Sequence, residues 1–144
     1  MIAVDTNVLV AAHRRDADRH ERAAALVRDL AQSSRAWAIP WSCLHEFLAI
    51  VTHTRIFDPP STIAQAARQV DLWLESPSLV VLGERFDHWD HLRRLLEEGD
   101  VRGARVHDAR VAATCLAHGV ATLWTADRDF GRFPLLRTHN PLVG

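Results

Sequence analysis

Lysine is missing altogether. All 17 basic residues of this 144-residue chain are arginine, which argues against any mechanism built on a lysine amine. Codon bias accounts for most of the pattern, but the chemistry still differs: arginine grips phosphate through a bidentate fork and stacks on bases. Cysteine is scarce. Cys43 and Cys115 lie far apart, each inside an apolar helical pattern. That predicts two buried free thiols, not a disulfide framework, and suits a reducing compartment. No apolar run approaches the ~20 residues needed to cross a bilayer. No basic segment leads into a long apolar stretch at the N-terminus, so no secretory signal is read there. A cytoplasmic protein without a membrane role is the expectation. Excess charge of one sign is also lacking. The net charge is −1, which advertises no nucleic-acid partner globally but does not exclude a local phosphate-binding patch.

What is there reads as one domain over residues 1–144, with 48% hydrophobic and 24% charged residues, ample for a sizeable core. Strands are expected at Ile2–Asp5, Ala36–Ile39, Leu79–Leu82 and Ala121–Thr125, with a small last strand at Leu135–Thr138. Helices are expected at Val8–Ala12, Glu21–Ala31, Ser42 to about Thr54, Ser61 to about Glu75, Phe86–Glu97 and Arg105–His118. Ser42 and Ser61 read as N-caps and Gly119 as a C′ residue. Short, uniformly apolar strands alternating with helices predict an α/β fold with a parallel sheet covered on both faces. In such folds sites form at the carboxyl ends of the strands.

Several carboxylates break the local pattern. Asp5-Thr6-Asn7 follows the first apolar run directly. All three residue types cap helices well, and capping is their commoner role; a metal site at a strand end is the other reading. Asp108 falls in line with Val111 and Cys115, away from the polar stripe of His107, Arg110, Thr114 and His118. An inward carboxylate needs a partner, because isolated buried charge is very costly. Glu46 is the only acid in a mostly apolar helix, and by itself reads as an ordinary solvated glutamate. Thr125, Asp127 and Asp129 lie just beyond the fourth strand, where they suit either a cap or a hard cation such as Mg²⁺. Convergent carboxylates repel, so at neutral pH they require a cation or shifted pKa values. A divalent ion would activate water and offset charge on phosphate.

Three other enzyme classes fit poorly. A haloacid-dehalogenase-type phosphatase wants Asp where this chain has Asn7, and commonly uses a lysine. An HD-type phosphohydrolase is suggested by His107-Asp108 but is helical and needs further paired histidines. A zinc protease is suggested by His45-Glu46, but Ala49 stands where the second histidine belongs.

The stretches "VDTNVLV", "LHEFLAIVTHTRIF", "GDVRGARVHDARVAA" and "TLWTADRDFGRF", in this order across nearly the whole chain, resemble PIN-domain ribonucleases. They are most similar to the toxins of bacterial VapBC toxin–antitoxin pairs. The resemblance implies a three-layer α/β/α sandwich with a short central parallel sheet. It assigns Asp5, Glu46, Asp108 and Asp127 as catalytic, metal-binding acids, supported by Thr6, Asn7, Thr125 and Asp129. It implies Mg²⁺ or Mn²⁺, hydrolysis of RNA phosphodiesters, a homodimer, and neutralisation by a VapB-type antitoxin. Arg14, Arg15, Arg110 and Arg128, with Arg105 and Arg132, lie near the motifs as candidate RNA contacts. Apolar faces at Glu21–Ala31, Ser42–Thr54 and Ser61–Glu75 are candidate antitoxin surfaces, with Trp37, Trp41 and Trp73 as possible anchors. A PIN-like module that binds RNA or protein without cleaving is the alternative; it would be expected to have lost acids, and this chain keeps them.

Overall fold

Five short strands and six helices alternate along the computed structural model, which describes residues 1–144. They are β1 (Ile2–Val4), α1 (Thr6–His13), α2 (His20–Gln32), β2 (Trp37–Pro40), α3 (Trp41–Val51), α4 (Ile63–Leu74), β3 (Leu79–Leu82), α5 (His88–Glu98), α6 (Val106–Ala117), β4 (Thr122–Trp124) and β5 (Thr138–His139). Two 3₁₀ turns, Gly103–Arg105 and Arg128–Arg132, precede α6 and follow β4. No helix is long and apolar enough to cross a membrane.

The sheet is wholly parallel, in the order β3-β2-β1-β4-β5. Starting at β1, the chain steps outward to β2 and β3, then returns to the other side of β1 for β4 and β5. Crossovers between parallel strands are right-handed. Reversing direction therefore moves α5 and α6 to the face opposite α1–α4, giving the expected three layers. The packing agrees: α1 lies against α2 and α3, and α5 against α6. The reversal falls between β1 and β4, where Val4 pairs with Trp124. A crevice opens at such a switch point, beyond the carboxyl ends of the strands.

The core is one cluster built on Trp37, Phe47, Phe130, Phe133, Leu9 and Ile39, all buried. Phe47 packs edge-on against Trp73, with ring centroids 4.8 Å apart. Trp37 and Trp73 are thus core residues, and only Trp41 of the three tryptophans proposed as anchors is exposed. Cys43 and Cys115 are buried free thiols, as expected.

Several boundaries differ from the sequence reading, for local reasons. Helix α1 starts earlier, at Thr6, because Asp5 caps it: the Thr6 N–H donates to Asp5 Oδ1 at 2.8 Å. Helix α3 starts at Trp41 straight after Pro40, so Ser42 is inside the helix and caps nothing. Helix α4 is capped by Thr62, whose hydroxyl accepts from Gln65 N while Gln65 Oε1 accepts from Thr62 N. The capping-box arrangement displaces Ser61 from the cap. Ser61 instead donates to His13 Nε2 at 2.9 Å and accepts from Arg14 at 3.2 Å. The last strand is shifted to Thr138–His139. Thr114, read as part of a solvent stripe, is buried and donates to the Arg110 carbonyl.

Candidate active site

Asp5 and Thr125 occupy the two strand ends at the switch point, and both are buried. Asp5 N–H donates to the Trp124 carbonyl, continuing the β1–β4 pairing by one residue. The Thr125 hydroxyl donates to Asp5 Oδ2 at 2.7 Å and accepts from Asn7 Nδ2 at 3.2 Å and from Asp127 N at 3.0 Å. Asn7 Nδ2 also reaches Asp5 Oδ2, and Asn7 Oδ1 accepts from Ala126 N. One network therefore fixes Asp5 in place and fastens the start of α1 to the loop leaving β4.

Asp5 Oδ1 accepts from Thr6 N and, at 3.5 Å, from the Cys43 thiol. Burial raises the Asp5 pKa; the donors Thr125, Thr6 and Cys43 oppose the rise, and the Asp127 charge adds to it. The same burial lifts the Cys43 thiol well above its ordinary range and pushes Cys115 up to about 12. Both are inert thiols at neutral pH. Cys43 is the neighbour of Asp5 that sequence reasoning overlooked. Its one available signal was the three-residue spacing to Glu46, which puts the two residues on neighbouring positions of one side of α3.

Glu46 is exposed and Asp108 half-buried, and together they line an open cleft between α3 and α6 with His45, His107 and Arg110. Asp108 sits in the first turn of α6, where the helix N-terminus favours an anion. Asp127 caps the turn after β4 through Asp129 N, at 2.8 Å. Asp5 and Asp127 do not line the cleft wall, but all four acids share one field. Partial burial raises the Glu46 pKa, and the charges of Asp5, Asp108 and Asp127 raise it further. Asp108 is raised by burial, then by Asp127 and Asp5.

No three His, Cys, Asp or Glu side chains stand as a ready-made ligand set. The donors nevertheless fit a hard cation. They are oxygens, and their charges repel one another.

The candidate arginines separate clearly. Arg14 is held by Asp16, Ser61 and the Pro59 carbonyl and lies over the Phe57 ring, so it is a structural clamp. Arg110 is paired with Glu84. Arg14, whose side chain is 12% exposed, is not free to meet RNA, whereas Arg110 stays part-exposed at the cleft. Arg15, Arg128 and Arg132 are exposed. Arg105 is paired with Asp129.

A parallel sheet with buried acid at its switch point and further acids around one cleft defines the class: the PIN-domain family model matches residues 2–135, and the chain belongs to that family. The chain is 39% identical over its full length to ribonuclease VapC43 of Mycobacterium tuberculosis, covering 97% of that protein. It is 30% identical to ribonuclease VapC48 of the same organism, with 97% of each chain covered. Among solved structures, the sarcin–ricin loop cleaving toxin VapC20 of M. tuberculosis matches with a TM-score of 0.67 at 21% identity, covering 91% of this chain and 93% of that one. A crystal structure of VapBC2 from Rickettsia felis bound to a promoter DNA fragment matches with a TM-score of 0.68 at 23% identity, covering 97% and 98%. At these identities the two structures establish the shared fold.

Proposed function

We propose that this chain is an endoribonuclease toxin of a type II toxin–antitoxin pair, folded as a single domain and dependent on Mg²⁺ or Mn²⁺. The observation that carries the reading is the buried Asp5–Asn7–Thr125 network at the switch point, sharing one electrostatic field with Glu46, Asp108 and Asp127, in a chain 39% identical to a VapC ribonuclease.

Asp5, Glu46, Asp108 and Asp127 would hold the ion. Bound there, it supplies Lewis acidity toward water and phosphate oxygen. The protein supplies pre-organisation. Thr125 and Asn7 fix the Asp5 carboxylate before substrate arrives, so no reorganisation is needed during reaction. Burial first, and then the charges of neighbouring acids, raise the pKa values of Asp5, Glu46 and Asp108; a cation would offset both. The cleft between α3 and α6 leaves Glu46 and Asp108 accessible from solvent.

A VapB-type antitoxin and an RNA substrate are the partners, and a homodimer is the expected assembly. A candidate surface for the antitoxin is the apolar groove formed by α1, α2 and α4, lined by Ala24, Ala31 and Leu72.

The test is cleavage of total bacterial RNA by antitoxin-free protein with Mn²⁺, Mg²⁺ or chelator. Discrete fragments that need metal and vanish in Asp108→Asn are expected. RNA binding that ignores both metal and Asp108→Asn would instead identify a non-catalytic module.

A further inference from the structure

Arg105 and Asp129 are joined by an ion pair. Arg105 ends the 3₁₀ turn before α6, and Asp129 belongs to the 3₁₀ turn after β4. The pair therefore bridges the segment leading to Asp108 and the segment leaving Asp127. Its guanidinium also lies in the field of Asp108 and Asp127. It is the cation that bears on Asp108, opposing the acids around it.

Arg105 differs from the other candidates in where its charge falls. Arg14 is clamped away from the acids, and Arg110 lines the cleft but is held by Glu84, whereas Arg105 joins the two acid-bearing segments and its charge opposes the acids at Asp108. Its side chain stays 38% exposed beside its bond to Asp129, so part of its fork of donors faces solvent. An acidic cleft repels a phosphodiester, so a strand approaching it needs a cation on its path. An unrestrained arginine would fold onto Asp108 and Asp127 and neutralise the acids that the site requires. A carboxylate placed to one side prevents this and aims the fork outward.

We infer that Asp129 is a positioning residue for Arg105, not a metal ligand, and that Arg105 binds an RNA phosphate at the mouth of the acidic cleft. The inference rests on the nuclease reading above and adds a division of labour among its acids: Asp5, Glu46, Asp108 and Asp127 face the ion, and Asp129 faces the arginine.

The experiment compares wild type, Arg105→Gln, Asp129→Asn and the double variant in two assays. Calorimetry measures Mn²⁺ binding without RNA. Fluorescence anisotropy measures a fluorescein-labelled oligouridylate in Ca²⁺ across a salt series. Arg105→Gln is expected to weaken RNA binding about ten-fold, as for loss of one charge-assisted contact. It should also reduce the slope of log affinity against log salt by about 0.7, the value for one phosphate on a single strand. Asp129→Asn should weaken RNA binding in the same direction, and the double variant should be no worse than Arg105→Gln, since the two residues act as one unit. All variants should bind Mn²⁺ like wild type. Loss of Mn²⁺ binding in Asp129→Asn would overturn the inference, as would an unchanged salt slope in Arg105→Gln. If wild type neither binds Mn²⁺ nor cleaves RNA, the nuclease reading itself fails. If wild type does both and Arg105→Gln matches it in RNA binding, only the role of Arg105 fails.

Discussion

Replacing Thr125 with valine removes one oxygen and almost no volume, which makes it a sharp probe of the switch-point network. Thr125 is 4% exposed, so water cannot readily take over its role. The hydroxyl donates to the Asp5 carboxylate at 2.7 Å; a hydrogen bond to a charged group is worth about 1.5–3 kcal/mol. The same oxygen accepts from Asn7 Nδ2 and Asp127 N. Those donors are only half-buried, so losing their acceptor costs roughly 0.5 kcal/mol each. The sum is about 2.5–4 kcal/mol. Thr125→Ser keeps the hydroxyl and loses one methyl group, about 0.5–1.5 kcal/mol by analogy with Ile→Val. The assay is urea unfolding in chelator. With a slope of about 2 kcal/mol/M, Thr125→Val should lower the midpoint by about 1–2 M and Thr125→Ser by less than about 0.8 M. A valine midpoint indistinguishable from wild type would refute the reasoning. So would a serine variant as weak as valine, because volume rather than the hydroxyl would then be what matters.

Two further predictions concern titration. Burial and mutual repulsion raise the pKa values of Glu46 and Asp108 in the fold, so the folded state binds protons more tightly than the unfolded chain. These groups destabilise the metal-free protein once pH rises above their unfolded values. Asp108→Asn and Glu46→Gln should therefore raise the melting temperature in chelator at pH 7, by roughly 1–3 °C for such exposed repulsion, while removing the rise that Mn²⁺ gives wild type. A lower melting temperature in chelator would count against a repulsive field. His13 should act with the opposite sign. Burial lowers its pKa below 6.5, and the nearby charges of Arg14 and His20 add to this, against its bond with Gln69. Arg14 donates to Ser61; with neutral imidazole protonated at Nδ1, Ser61 donates to His13 Nε2 and His13 Nδ1 donates to Gln69. The His13 contribution is complete above pH 6.5 and declines as pH falls toward its lowered value. His13→Gln should flatten the melting temperature between pH 7 and 5, and an unchanged slope would remove His13 from the account.

Sequence by itself determined the parallel α/β class, because short apolar strands such as Trp37–Pro40, alternating with helices, mark a sheet covered on both faces; the edge strand Leu79–Leu82 is the exception, with Val80 exposed. It also singled out the acids that break pattern: Asp5 after an apolar run, Asp108 in line with Val111 and Cys115, Glu46 alone in an apolar helix, and Asp127 beyond a strand. Local chemistry marked Asp108 as an inward acid, since periodicity is a short-range property; it read Asp5 first as a cap and Glu46 as a solvated glutamate, and the resemblance to PIN-domain ribonucleases joined the four. Cap identities were less legible: Thr62 and Ser61 are both good caps, and a single side-chain contact with Gln65 decides between them. Only the tertiary structure decided the rest. Arg14, Arg105 and Arg110 look alike in sequence, but Glu84 lies 26 residues from Arg110, and Asp16 and Ser61 both converge on Arg14. Ion pairing and burial depend on which distant segments the crossovers bring together. The bond between Thr125 and Asp5, 120 residues apart, is the clearest case: the strand order makes β1 and β4 neighbours, and no local pattern encodes that adjacency.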